Sequence, residues 1–127
     1  MRKVLAFTSL VELGTGVALM VDPAIVVRLL VGSDLAGAGE VAGRGFGVAL
    51  LALALACWPS RRGTESEAPA VRGMLVYNAL IALYLAVLGT AGSMRGALLW
   101  PAAVLHAAVA LALLFSPSSV HAPEARP

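Results

Sequence analysis

The chain has 127 residues, of which 60% are hydrophobic and only 13% charged, with a formal net charge of +2. Soluble domains are nearer half apolar and a quarter charged, so this composition does not cover a water-facing surface, and lipid is the expected solvent. The few basic residues form no patch interleaved with aromatics, which excludes nucleic acid as a partner, and Cys57, the single cysteine, excludes an intramolecular disulfide and a cysteine-built metal cluster.

The first apolar segment, Val4–Val21, contains "FTSLVELGTGVALM" (7–20), with a glutamate at its centre. Its basic start resembles a secretory leader. Glu12 interrupts the apolar core and no clean small-x-small cleavage site follows, so an uncleaved first span is expected. An ionised carboxylate at mid-span is expensive and must be paired, protonated or turned to a polar interior. Thr8, Ser9, Thr15 and Gly16 lie three and four residues away, on the same helical face. That stripe is therefore expected to face other helices.

Next comes "VDPAIVVRLLVGSD" (21–34). Asp22 is an N-cap residue, Pro23 sits at the favoured first helical position and Gly32 is a C-terminal stop. A short amphipathic helix at the membrane surface, with Arg28 toward water, is predicted between the first and second spans.

The second segment, Val41–Trp58, is entered through Gly39, Gly43 and Gly47, which share one face at four-residue spacing. Such small-residue stripes let helix backbones approach closely, either within the chain or at a seam between copies. Arg44 lies near its outer end and has two readings. It pairs with Glu40 in the favourable i,i+4 order and snorkels to the interface, or it reaches inward to Glu12.

"PSRRGTESEAP" (59–69) is a polar, proline-bounded loop. The third segment, Val71–Gly89, carries Asn78 beside Tyr77, about a third of the way in. A tight turn, "GTAGSMRG" (89–96), leads to the fourth, Ala97–Phe115, with His106 at its midpoint and Ala102, Ala103, Ala107 and Ala110 as small residues. Residues 116–127 form a polar tail. Trp58 and Trp100 fall near opposite interfaces, as an aromatic belt requires.

The expected fold is all-α: one domain (1–115), a four-transmembrane-helix bundle with a short interfacial helix, and a disordered cytoplasmic tail. Arg2, Lys3, Arg61, Arg62, Arg72 and Arg126 fall on one side, and Arg28, Arg44 and Arg95 on the other. The richer side is expected in the cytoplasm with both termini.

Glu12, Arg44, Asn78 and His106, one from each span, are the candidate ligand- or proton-binding residues. Glu12 and His106 are expected to face each other at equal depth, although hydrogen bonding as interhelical glue also accounts for Asn78 and His106. No catalytic residue is assigned. Nucleotide-binding, hydrolase and metalloprotease motifs are missing, a lone in-span histidine does not ligate haem on two sides, and Glu12 with His106 underligates a metal, so neither cofactor nor metal is expected.

At "GRGFGVALLALALACW" (43–58), "YNALIALYLAVLG" (77–89) and "LLWPAAVLHAAVALALL" (98–114), the chain resembles a group of small, uncharacterised four-helix membrane proteins of bacteria. They share a G-R-x-x-G-x-A-L-L run ending in C-W, a Y-N pair, and L-W-P with a later histidine. The resemblance implies a fold and an inner-membrane location, and no activity. A looser likeness to DoxX-type proteins is architectural. Three functions are carried forward. One is a non-enzymatic accessory or interaction subunit, in a homo-oligomer or larger membrane complex. The second is an intramembrane binder or carrier of a small molecule or proton. The third is a membrane enzyme acting on a lipid or quinone.

Overall fold

The structure is a computed structural model that describes residues 1–59, 67–92 and 94–115. It contains five helices and, among the described residues, no strand: α1 (Arg2–Val21), α2 (Pro23–Val31), α3 (Ala38–Ala56), α4 (Ala68–Thr90) and α5 (Leu99–Phe115). Most of the predicted polar loop and the whole predicted tail lie outside the described residues, as do Arg61, Arg62 and Arg126.

The helices fall where the hydrophobic segments placed them, with shifts of a few residues at their ends. α4 begins earlier than predicted, with Pro69 in its first turn, where a missing N–H costs nothing. α5 begins two residues later than its segment, and the Leu98 N–H just ahead of it, which has no partner within a helix, is satisfied by the Leu29 carbonyl at the end of α2 (2.8 Å). α2 has the anticipated signals at both ends. Asp22 accepts a hydrogen bond from the Ile25 N–H at 3.0 Å. Gly32 ends the helix in the left-handed region (φ 76°), its N–H bonded to the Arg28 carbonyl at 2.9 Å.

Three helices, α1, α3 and α4, are long and apolar enough to cross a membrane, and α5 is a shorter apolar helix. At 1.5 Å per residue α5 spans about 26 Å, against a hydrocarbon core of about 30 Å. Leu10, Leu55, Leu80, Leu83, Val104 and Leu111 are each more than half exposed. In water these outward leucines and valines would be a large apolar liability.

The chain packs as two helix pairs, α1 with α3 and α4 with α5, joined where α1 meets α4 and α5 and bridged by α2. The glycines explain the first pair. A Cβ at Gly16 would lie 2.9 Å from the Gly47 carbonyl oxygen, and one at Gly47 would lie 2.8 Å from that of Gly16. Each backbone therefore occupies the place of the other's side chain. Gly43 packs against Pro23 and Gly39 against Leu35. The stripe Gly39, Gly43 and Gly47 is thus used within the chain.

Two apolar clusters close the ends of the assembly. Leu5, Cys57, Met74, Val109 and Leu113 form one, so the start of α1, the end of α3, the start of α4 and the end of α5 meet there. An Arg2–Glu67 ion pair (3.2 Å) lies at the same end. Leu85, Leu99 and Ala103, with Leu30 of α2 against them, form the other. The four longer helices therefore run in alternating directions.

Candidate functional site

Between the two clusters lies a polar layer built from α1, α4 and α5. The buried face of α1 presents Thr8, Ser9 and Glu12 between Leu5 and Leu19. The polar stripe thus faces inward, and Glu12 is only 1% exposed. It is the eleventh of the twenty residues of α1; Asn78 is the eleventh of twenty-three in α4 and His106 the eighth of seventeen in α5. Because α4 starts earlier than its segment, Asn78 sits at mid-helix, whereas it was about a third of the way into the apolar segment.

The hydrogen bonds define one network. The Asn78 side-chain amide donates to the Met74 carbonyl (2.8 Å) and to Thr8 Oγ1 (3.3 Å). The Met74 carbonyl can only accept, so it fixes which end of the amide is nitrogen. Asn78 Oδ1 then faces His106 Nδ1 at 2.8 Å. As Oδ1 is an acceptor, Nδ1 carries the proton. Thr8, having accepted from Asn78, turns its own hydrogen toward Met74 Sδ (3.9 Å).

Glu12 is held separately. The Tyr77 hydroxyl donates to its Oε2 at 2.9 Å. Its Oε1 lies 3.9 Å from His106 Nδ1, beyond hydrogen-bond reach. Oε1 and Ser9 Oγ are buried and have no hydrogen-bond partner among the described residues. The Tyr77 and His106 rings meet edge to face, centroids 5.8 Å apart at 81°, which sets the imidazole beside the carboxylate. The site thus has one satisfied branch, Thr8–Asn78–His106, and one half-satisfied branch, Tyr77–Glu12. The open oxygen lies between them.

The predicted facing of Glu12 and His106 is present, at a separation of 3.9 Å that makes no direct hydrogen bond. Arg44 is not part of the layer. It pairs with Glu40 at 3.7 Å, both side chains more than a third exposed, so its inward reading is corrected to the surface one. The physical reason is the glycine stripe itself: Gly43 and Gly47 turn toward α2 and α1, and Arg44, the next residue round the helix from Gly43, is carried outward. α3 supplies no polar group to the site.

Tyr77 was seen in the sequence only as a neighbour of Asn78, yet it is the hydrogen-bond partner of Glu12. The available signal was a phenol at mid-helix, since a buried Tyr hydroxyl usually finds a partner. Thr8 belongs to the polar stripe that the sequence shows, but its link to Asn78 depends on how α1 and α4 meet.

Comparison with known protein families, curated proteins and solved structures finds no match.

Proposed function

We propose that this is a four-span protein of a bacterial inner membrane, both termini cytoplasmic, whose interior binds a proton at Glu12. The carrying observation is a mid-helix carboxylate, 1% exposed, with one oxygen held by Tyr77 and the other unpartnered among the described residues. The apolar helices and the exposed leucines support the membrane placement. Arg2, Lys3 and Arg72 at one end, against Arg28, Arg44 and Arg95 at the other, support the orientation together with Arg61, Arg62 and Arg126 of the sequence. The resemblance to small bacterial four-helix proteins supports the location.

A proton suits the site better than a larger ligand, because Leu5, Met74, Leu85 and Leu99 close the layers above and below it. Proton arrival at Oε1 neutralises the carboxylate. It also supplies a donor on the buried face of α1 that carries the Ser9 hydroxyl, which is unpartnered among the described residues and can accept. The accessory-subunit reading drew on the glycine stripe, which is engaged inside the chain. Its remaining support is the short connections between the apolar segments, which leave little of the sequence for soluble chemistry, joined by Tyr84, 60% exposed on the outward face of α4, where a phenol suits a neighbouring protein or the membrane interface.

Infrared difference spectroscopy of the protein in lipid nanodiscs, titrated in pH, tests the reading. A protonated-carboxyl band that appears on acidification, is lost in Glu12→Gln and shifts in Tyr77→Phe is expected. A spectrum with no Glu12-dependent carboxyl band at any pH the protein tolerates would overturn it.

A further inference from the structure

A second polar feature lies at one end of the helices, on the turn joining α4 to α5. A cavity of about 320 Å³ is lined there by Arg95, Trp100, Leu99 and the backbones of Gly89, Gly92 and Gly96, among others. Its walls are held in place. The Arg95 N–H bonds to the Val31 carbonyl (3.0 Å) and the Leu98 N–H to that of Leu29 (2.8 Å), which pins the turn to the end of α2. Gly96 sits so close to the backbone of Leu29 and Leu30 that no side chain fits. The Trp100 ring lies over Gly89, where an added Cβ would be 2.8 Å from it. Gly92, at φ 73°, has open space where a side chain would be.

The cavity has one cationic and one indole-bearing residue in its lining, Arg95 and Trp100. Arg95 makes no ion pair among the described residues; the ion pair at this end is Arg44 with Glu40, and Asp22 accepts instead from the Ile25 N–H. Its guanidinium suits a phosphate, which it can hold by two parallel N–H donors. Trp100 and Leu98 are about half exposed beside it, as is Val87 on the last turns of α4. Trp100 lines the cavity, and Leu98 and Val87 lie within two residues of the lining residues Leu99 and Gly89, so apolar surface is close by. An amphiphile with an anionic head and an apolar body meets complementary chemistry on both counts, and an interfacial tryptophan marks the depth of lipid headgroups.

We propose that the cavity binds a phosphate-bearing anion, Arg95 holding the phosphate and Trp100 flanking it. An anionic phospholipid headgroup and free inorganic phosphate both supply that chemistry. The inference rests on the membrane placement proposed above and is independent of Glu12.

The test uses the full chain in a phosphate-free detergent, with Trp58→Phe so that Trp100 is the only tryptophan. Its fluorescence is followed during titration with a short-chain phosphatidylglycerol, the phosphatidylcholine of equal chain length, and inorganic phosphate. Phosphatidylglycerol is expected to saturate the signal at about tenfold lower concentration than phosphatidylcholine. Arg95→Gln should remove that difference. Arg28→Gln, a cation at the same end but outside the cavity, should keep it, and Arg95→Lys should retain part of it. Saturation by inorganic phosphate at comparable concentration supports the site with free phosphate as its source, whereas response to phosphatidylglycerol alone supports the lipid. Equal half-saturation for the two lipids in the parent with no saturation by inorganic phosphate, or an anion response unchanged in Arg95→Gln, overturns the proposal. Release of the untreated chain from membranes by an alkaline wash would instead refute the membrane placement, so the two failures are distinguishable.

Discussion

Gly47→Ala isolates the contact that joins α1 to α3. The added methyl would lie 2.8 Å from the Gly16 carbonyl oxygen and 3.0 Å from Leu19 Cβ. An ordinary carbon–oxygen approach is about 3.3–3.6 Å, so the two helices must separate by roughly half an ångström. Overpacking of this kind costs about 1–3 kcal/mol. Against it stands the helix-propensity gain of alanine over glycine, up to about 1 kcal/mol. Gly45, two residues away in the same helix, has nothing within 4 Å of its added Cβ. Gly45→Ala therefore carries the propensity gain without the clash. The difference between the two variants, about 1–3 kcal/mol in favour of Gly45→Ala, is the packing term. Unfolding by sodium dodecyl sulfate titration in mixed micelles, followed by circular dichroism, measures it. Equal stabilities for the two variants would refute the claim that α1 and α3 meet backbone to backbone at Gly16 and Gly47.

Three further outcomes follow from the site and its surroundings. Tyr77→Phe leaves both Glu12 oxygens without a donor among the described residues, and should destabilise the protein by about 1–3 kcal/mol in the same micelle titration. In a Glu12→Leu background, where no buried acceptor is stranded, the same change should cost much less. Arg44→Ala and Glu40→Ala remove a partly exposed i,i+4 pair, so each should shift stability by no more than about 0.5 kcal/mol; a large loss for Arg44 alone, read by thermal denaturation in detergent, would return it to the interior. Asn78→Leu breaks the bonds to Met74, Thr8 and His106 together. Its expected signature is altered pH dependence of the His106 ring resonances by NMR, and an unchanged titration would show that Asn78 does not hold the imidazole.

The helices were legible in the sequence because each is a long apolar run bounded by Pro, Gly, Asp or charge. In a low-polarity solvent an apolar run of that length has few alternatives, since every backbone N–H and C=O must be satisfied within the segment. The cap, proline and glycine of α2 were equally local signals. The inward turn of the Glu12 stripe followed from the cost of a mid-span carboxylate, and its level with His106 followed from counting residues. Who touches Glu12 was decided only by the tertiary structure. Helix rotation about its own axis sets partners, and one residue of rotation is about 100°, enough to exchange Asn78 for Tyr77 as the donor. The same applies to Arg44. Its spacing from Glu40 was written in the sequence, but whether it turned outward depended on which face Gly43 and Gly47 offered to α1 and α2. Backbone contacts between glycines carry no side-chain signal of their own, so the pairing of Gly16 with Gly47, and through it the exclusion of α3 from the polar layer, emerges only when the helices are assembled.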